Sequence, residues 1–158
     1  MALRFTQSLL KDMKVTPETV EEVDDFWSWH ANIYYLNNRK HILFVNDLSR
    51  ICIIIDGIRK GQLTLLQEKF LETLEAYLKY EDISTTLIEK YLNSGTDLCI
   101  SKTNSRSVLG TMNEITIFNS DNFDNNLDRL EWLNRLIHKP IKHDYPIEFF
   151  KKRLEQLN

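Results

Sequence analysis

The chain has 158 residues, of which 42% are hydrophobic and 27% charged, and its formal net charge is −3. This length fits one domain that can bury most of its apolar surface without disulfide bonds. The small net charge argues against a protein that coats DNA or RNA, which usually carries a marked basic excess, although it leaves room for a local basic patch.

The first two predicted elements are a short strand over residues 3–9 and a helix from Thr16 to about Trp27. Apolar and polar side chains alternate at the start of the strand. Thr16 suits a helix N-cap, Pro17 the first helical position, and Glu18 the first turn, where the helix dipole favours a carboxylate.

Residues 30–56 carry the clearest strand signal. The runs HANIYYL, HILFV and RICIIID are rich in β-branched and aromatic residues. Asn37-Asn38 suits a hairpin turn because asparagine tolerates positive φ, and Asn46-Asp47-Leu48-Ser49 suits a second turn. The three strands should form an antiparallel meander. Its middle and last strands are apolar on both faces, so we expect them to be central and covered by helices.

The second half of the chain reads as helices with one further strand. Helices are predicted over residues 61–80, 85–93, 106–118, 127–137 and 146–157, with a strand over 97–102 and a polar loop over 119–126. Ser84 suits the N-cap of the second of these helices. Leu136-Ile137 should face inward. The predicted fold is therefore a single α+β domain over residues 1–158, with an antiparallel meander of about four or five strands packed against several helices.

Three polar clusters interrupt these apolar elements: Trp29-His30-Ala31-Asn32, Asn46-Asp47, and the segment TNSRSVLGTMN over residues 103–113. In an antiparallel pair, one strand starts where its neighbour ends. His30 or Asn32 should therefore lie near Asn46 or Asp47. If the strand at 97–102 joins the same sheet, residues 103–107 could approach that edge.

The segment over residues 103–107 has the ingredients of an anion site. It precedes a predicted helix, whose first turn exposes unpaired N–H groups and a partial positive charge. Phosphate or carboxylate would suit it. The competing interpretation is structural: Ser105 or Asn104 caps the helix, Arg106 faces water and Gly110 allows close packing. The candidate ligand-binding residues are Trp29, His30, Asn32, Asn46, Thr103, Asn104, Ser105, Arg106, Ser107 and Asn113.

His30 and Asp47 are the candidate catalytic residues. With Ser105 they could form a hydrolase triad, but the sequence has no nucleophile elbow. With Asp56 they could hold a divalent metal, yet aspartates at strand ends more often form turns. We therefore expect no metal and no cofactor.

The remaining features point to a cytoplasmic protein without membrane contact. The longest apolar run, ICIII, is too short to span a bilayer. The N-terminal residues MALRFTQSLLKDMKV lack the apolar core and cleavage site of a secretory signal. Cys52 and Cys99 lie in apolar runs and are expected to be buried thiols, without zinc-type spacing.

Taken in order, WHANI, RKHILFVND and TNSRSVLGTMN resemble a family of small bacterial domains of unknown function. The resemblance covers residues 3–118 and sets residues 119–158 apart as a helical extension. Thr111 stands where the family pattern has serine. The resemblance implies a bacterial or phage protein and supports treating the three clusters as one unit, but it supplies no mechanism.

The leading functional expectation is a binding or regulatory module that recognises a protein or a phosphate-bearing ligand. A toxin–antitoxin or phage-defence role is suggested only by size and implied origin. The alternative is an enzyme acting on a phosphoester or nucleotide, with His30 as general acid or base and Arg106 holding the phosphate. A third interpretation is a structural network whose polar groups satisfy one another. The oligomeric state stays open.

Overall fold

The computed structural model describes residues 1–95, 97–119, 122–142 and 144–157. Within these residues the chain forms five strands and six α-helices. In chain order they are β1 (Ala2–Phe5), α1 (Gln7–Met13), β2 (Ser28–Leu36), β3 (Arg39–Asn46), β4 (Cys52–Asp56), α2 (Leu63–Tyr80), α3 (Thr85–Ser94), β5 (Cys99–Lys102), α4 (Arg106–Phe118), α5 (Asn126–Leu133) and α6 (Pro146–Glu155). The α+β class predicted from the sequence is confirmed.

The strands form one sheet in the order β4-β3-β2-β1-β5. The meander β2-β3-β4 is antiparallel, as predicted. Its hairpin turns at Asn37 and Asn38, whose φ angles are 51° and 63°. The sheet as a whole is mixed, because β1 lies between β2 and β5 and is parallel to both.

The two faces of the sheet differ in chemistry because side chains alternate along each strand. On one face, Trp29 and Phe44 pack against Phe70 of α2, with ring centroids 5.1 and 4.3 Å apart. On the other face, Arg4 of β1 lies beside His30 of β2, and α4 packs over β2 and β3. One face is therefore an aromatic and aliphatic core, and the other carries polar groups beneath a helix.

The first thirty residues depart from the predicted elements. The strand ends at Phe5 because the hydroxyl of Thr6 accepts the N–H of Leu9 and caps α1, a helix that the sequence pattern did not predict. The predicted helix from Thr16 to Trp27 is wrong, and only a 3₁₀ turn forms at Asp25–Trp27. Instead, the N–H of Glu18 donates to the carbonyl of Ile100 at 2.8 Å, so this segment binds the outer edge of β5.

The last strand of the meander was predicted to be central, and this is wrong: β4 forms one edge of the sheet. Side chains from α5 and the turn after it cover that edge. The amide of Asn134 accepts the N–H of Cys52 at 2.6 Å and donates to the carbonyl of Cys52 at 3.1 Å. Asn126 donates to the carbonyl of Ile54 at 3.0 Å. β4 can therefore have the apolar sequence of a central strand although it lies at an edge, because asparagine side chains take the place of a neighbouring strand.

Most of the later helices agree with the predictions, and Ser84 caps α3 as expected. Two details are wrong. Ile137 is 59% exposed because α5 ends at Leu133, before the helix could carry Ile137 inward. Gly110 has no atom within 4 Å of where a Cβ would stand, so it does not serve close packing. Part of the predicted loop, residues 120 and 121, lies outside the described residues.

The segment after residue 118 belongs to the same hydrophobic core as the sheet. Leu130 and Leu133 of α5 and Phe150 and Leu154 of α6 are buried within that core. The tilted ring of Phe150 lies 4.8 Å from Phe26. The separation of residues 119–158 as an extension stays a prediction, and their packing is continuous with the rest of the domain.

Candidate functional site

The polar clusters predicted to meet at one sheet edge do meet there. Trp29 at the start of β2 pairs with Asn46 at the end of β3. The Nδ1 of His30 lies 2.7 Å from Oδ1 of Asp47, and its Nε2 accepts the backbone N–H of Asn104 at 3.2 Å. A carboxylate can only accept and Nε2 here accepts, so the imidazole is neutral with its proton on Nδ1.

Arg4 joins this group from β1. Its Nε lies 4.0 Å from Oδ2 of Asp47, and only 11% of its side chain is exposed. The register places Arg4 between His30 of β2 and Ser101 of β5, beneath the segment that follows β5. Among the described residues Arg4 donates no hydrogen bond, and its Nε is buried. Such an unpaired buried donor is costly in a native protein.

Arg50 joins the group from the turn between β3 and β4. Its guanidinium donates to Ser107 at 3.0 Å and to Thr111 at 3.3 Å, while its Nε has no partner among the described residues. Burial lowers the pKa of Arg50, and the negative charges of Asp47 and Asp25 oppose that effect. Arg50 has a φ of 69°, a left-handed conformation that costs about 1 kcal/mol or more in a residue other than glycine. We call Arg4, His30, Asp47, Arg50 and the N–H of Asn104 the Asp47 cluster.

The segment over residues 103–113 contacts this cluster and includes the first residues of α4. Ser105 is the N-cap, and its hydroxyl accepts the N–H of Val108 at 3.2 Å. Arg106 and Asn113 are exposed, and neither side chain forms an ion pair or hydrogen bond with a described residue; only the backbone carbonyl of Asn113 accepts, from the hydroxyl of Thr116 at 2.8 Å. Thr103 is half-buried and lines a groove with Phe5 and Ser101. Asn113 forms no hydrogen bond with Asn104 among the described contacts.

Three further candidates have polar atoms that are already bonded within the fold. Trp29 is buried, and its Nε1 donates to the hydroxyl of Tyr91 at 3.1 Å. Asn46 is buried, donating to the carbonyl of Phe26 at 2.9 Å and accepting from Ser49 at 2.9 Å. The Oδ1 of Asn32 accepts from Thr6 at 2.5 Å. Their role in ligand binding stays a prediction. The hydrogen bonds show that each of them has a structural role in the fold.

The geometry does not form either alternative constellation. In a triad the serine hydroxyl would bond Nε2 of His30, but the N–H of Asn104 occupies that nitrogen and Ser105 caps α4. The metal set is also not assembled, because Asp56 bonds His41 and Arg129 instead of approaching His30. No group of three or more histidine, cysteine or acidic side chains able to hold a metal occurs among the described residues.

A second polar arrangement was missed by sequence reasoning. His41, Asp56 and Arg129 line a cleft of about 560 Å³. Asp56 binds Nδ1 of His41 through one oxygen and Arg129 at 3.1 Å through the other. The ring of Tyr34 stacks on His41 at 5.0 Å. His41 and Asp56 are register partners in β3 and β4, so a strand alignment could have found the pair, whereas Arg129 comes from α5 and could not have been placed.

The fold and these contacts define a small α+β domain whose mixed sheet carries a buried polar cluster beneath one helix. No helix within the described ranges combines the length and apolarity needed to cross a membrane. Residues 2–149 match the model of the family described as Domain of unknown function (DUF6933), and the chain belongs to that family. The match extends beyond residue 118. No curated protein and no solved structure matches the chain.

Proposed function

We propose that this domain is a binding module that recognises a phosphate-bearing or other oxyanion ligand through the Asp47 cluster. The observation that carries the proposal is Arg4, a largely buried arginine that donates no hydrogen bond to any described residue. A guanidinium is an always-charged fork of donors that matches the geometry of phosphate and carboxylate oxygens.

The charge balance of the cluster supports an anionic ligand. It holds two guanidinium groups and one carboxylate, and the imidazole of His30 is neutral. Asp47 lies 4.0 Å from Arg4 and forms no ion pair with Arg50. The cluster itself therefore holds one more positive than negative charge where water is largely excluded, while the charge of Asp25 acts on Arg50 from outside the cluster. An oxyanion would supply the missing charge.

The start of α4 supports the same ligand class. The first N–H groups of a helix have no partner within the helix, and the dipole favours an anion there. Ser105 takes the N–H of Val108, and Arg50 is bonded to Ser107 in the same first turn. A buried arginine with an unpaired Nε thus lies beside a thirteen-residue helix whose N-terminus attracts negative charge.

The enzyme alternative has less support than binding. It requires a His30 that exchanges protons with a substrate, and both of its ring nitrogens are bonded while its side chain is 0% exposed. A protein partner also stays a prediction. Two aromatic residues that could serve such a surface, Trp27 and Tyr34, are half-buried and bonded to Tyr91 and Asn119. The bacterial or phage origin, the toxin–antitoxin or phage-defence role and the cytoplasmic location stay predictions carried by the sequence.

A thermal-shift titration with inorganic phosphate, nucleotides and small carboxylates tests the proposal. An oxyanion that binds the native state should raise the melting temperature in proportion to the logarithm of its concentration. Arg4→Gln should abolish that shift. The matched control is Arg106→Gln, which removes an exposed arginine from the same region and should leave the shift in place. If Arg106→Gln alone abolishes the shift, the exposed helix start is the site and the Asp47 cluster is not.

A further inference from the structure

Three lysines and a tyrosine surround a cavity of about 520 Å³ on the side of the sheet opposite the Asp47 cluster. Lys11 and Lys14 lie on and just after α1, Lys60 lies in the loop before α2, and Tyr35 lies near the end of β2. Because side chains alternate along a strand, Tyr35 projects from the face opposite His30. We call Lys11, Lys14, Lys60 and Tyr35 the Lys–Tyr patch.

The positive charge of this patch is not compensated within the described part of the chain. Asp12 is the acidic residue that lines the cavity, and it forms an ion pair with Lys40, the cross-strand partner of Tyr35. No described acidic group lies within ion-pair distance of the three patch lysines. A chain with net charge −3 therefore concentrates three free cations at one place. Bulk charge cannot reveal such a patch.

The patch is held together by the backbone. The N–H of Gly61 donates to the carbonyl of Asp12 at 2.8 Å, which fastens the loop carrying Lys60 to α1. Gly61 has a φ of 76°, and the stem of Lys14 lies 3.6 Å from where a Cβ of Gly61 would stand. The stem of Lys14 therefore lies against the loop that carries Lys60.

A purely structural role explains the positions of only some residues of the Lys–Tyr patch. Lys11 and Lys14 lie at the C-terminal end of α1, where cations are favoured by the helix dipole. That effect does not reach Lys60, and it does not explain a tyrosine that is 68% exposed among the lysines. An exposed aromatic face bordered by free cations is the combination that binds single-stranded nucleic acid, because the ring stacks on a base while the cations contact phosphates.

We propose that the Lys–Tyr patch binds single-stranded nucleic acid, with a base stacked on Tyr35 and the backbone phosphates contacted by Lys11, Lys14 and Lys60. This inference is independent of the oxyanion site at the Asp47 cluster. It concerns the opposite face of the sheet, other residues, and a polymer in place of a small oxyanion. Because the net charge of the chain is −3, we expect the interaction to be confined to this patch, and its phosphate contacts should make it sensitive to salt.

Fluorescence anisotropy of labelled single-stranded DNA and RNA oligonucleotides, measured over a salt series, tests this proposal. Each phosphate contact contributes about −0.7 to the slope of log affinity against log salt on single strands, so three contacts should give a slope of roughly −2. Lys14→Glu and Lys60→Glu should each weaken binding by about tenfold and make the slope shallower. Lys90→Glu, an exposed lysine on α3, is the matched control and should leave binding unchanged.

The aromatic contact has its own test. Tyr35→Ala should weaken binding by about tenfold, and Tyr35→Phe should retain it, because stacking requires the ring and not the hydroxyl. Thermal unfolding of every variant shows that the fold is kept. The proposal is overturned if no oligonucleotide binds at low salt, if Lys90→Glu weakens binding as much as Lys14→Glu, or if the patch binds inorganic tripolyphosphate but no oligonucleotide. Arg4→Gln should leave oligonucleotide binding intact, so the two sites can fail separately.

Discussion

The Nδ1–H of His30 donates to Oδ1 of Asp47 across 2.7 Å, between side chains that are 0% and 7% exposed. This bond joins β2 to the turn after β3 and leaves Nε2 of His30 to accept the N–H of Asn104. One carboxylate thus orients the histidine and, through it, the loop before α4. The position of the candidate anion site depends on Asp47.

Replacing Asp47 with alanine should lower the free energy of unfolding by about 3 kcal/mol, because it leaves the buried Nδ1–H of His30 and the charge of Arg4 without a partner. Urea denaturation measures the change. Asp124→Ala, which removes an exposed aspartate, should stay within about 0.5 kcal/mol of the parent. A loss below about 1 kcal/mol for Asp47→Ala would show that the bond contributes little to the fold.

The meander and the helices with clear apolar stripes could be predicted because period and turn chemistry act locally. The Asn37-Asn38 hairpin fixed the register of β2 and β3, and that register placed His30 beside the end of β3. The same reasoning failed between residues 6 and 27. There Thr6 and Thr16 are equally good caps by type, and only the tertiary bond from Glu18 to Ile100 decides which segment becomes a helix.

The site was predictable where backbone pairing determined it and not where long side chains did. The approach of residues 103–107 to His30 follows from adding β5 to the sheet. Arg4 and Arg50 were missed because neither the strand pattern around Arg4 nor the turn pattern before Arg50 shows that the two side chains approach Asp47. The sequence analysis instead selected Arg106 as the anion-binding arginine, and the structure shows that its side chain is exposed. Contacts formed by long side chains across unrelated elements leave no periodic signal.

Arg135→Ala should destabilise the protein by about 2 kcal/mol at pH 7 and by much less below pH 4. Burial acts to raise the pKa of Glu81, but hydrogen bonds from Arg135 at 2.7 and 2.8 Å and from Tyr77 at 2.6 Å outweigh it and hold the pKa below its usual value of 4.5. A carboxyl group whose pKa is lowered by folding stabilises the folded protein at pH values above its unfolded-state pKa. This stabilisation is lost as the pH falls through the folded-state pKa.

Urea denaturation of the Arg135→Ala variant and its parent at several pH values from 7 down to about 3 measures this difference. Arg106→Ala is the control, since it removes an exposed arginine with no ion pair to a described residue. A difference between Arg135→Ala and its parent that does not shrink toward low pH would mean that Arg135 stabilises through packing and not through the carboxylate of Glu81.

The two cysteines should differ sharply in reactivity in the native protein. Burial raises the pKa of Cys52 to about 12, with the charge of Arg129 opposing the effect, so its thiolate is scarce at neutral pH. Cys99 is half-buried. Because the thiolate is the nucleophile, a disulfide reagent at pH 8 should modify Cys99 and spare Cys52 until the protein unfolds. Absorbance of the released thiol follows the reaction. Cys99→Ser should suppress the native reaction, and rapid native labelling of that variant would contradict the assignment.

Asn134→Ala should destabilise the domain and expose an edge of its sheet. The side chain satisfies both backbone groups of Cys52 on β4, accepting at 2.6 Å and donating at 3.1 Å. Leaving two buried backbone groups unpaired should cost about 3 kcal/mol. An uncovered edge strand also presents free N–H and C=O groups that can pair with another chain, so the variant should scatter more light as concentration rises.

The matched control for the edge strand is Asn93→Ala, which removes an exposed asparagine from α3. It should leave both urea denaturation and light scattering close to those of the parent. Asn134→Asp separates the two roles of the amide, because it keeps the acceptor for the Cys52 N–H but removes the donor and adds a buried charge. It should therefore be as unstable as Asn134→Ala at pH 7 and recover on acidification, when the carboxyl regains a proton to donate. No recovery at low pH would mean that the carbonyl of Cys52 does not need a donor at position 134.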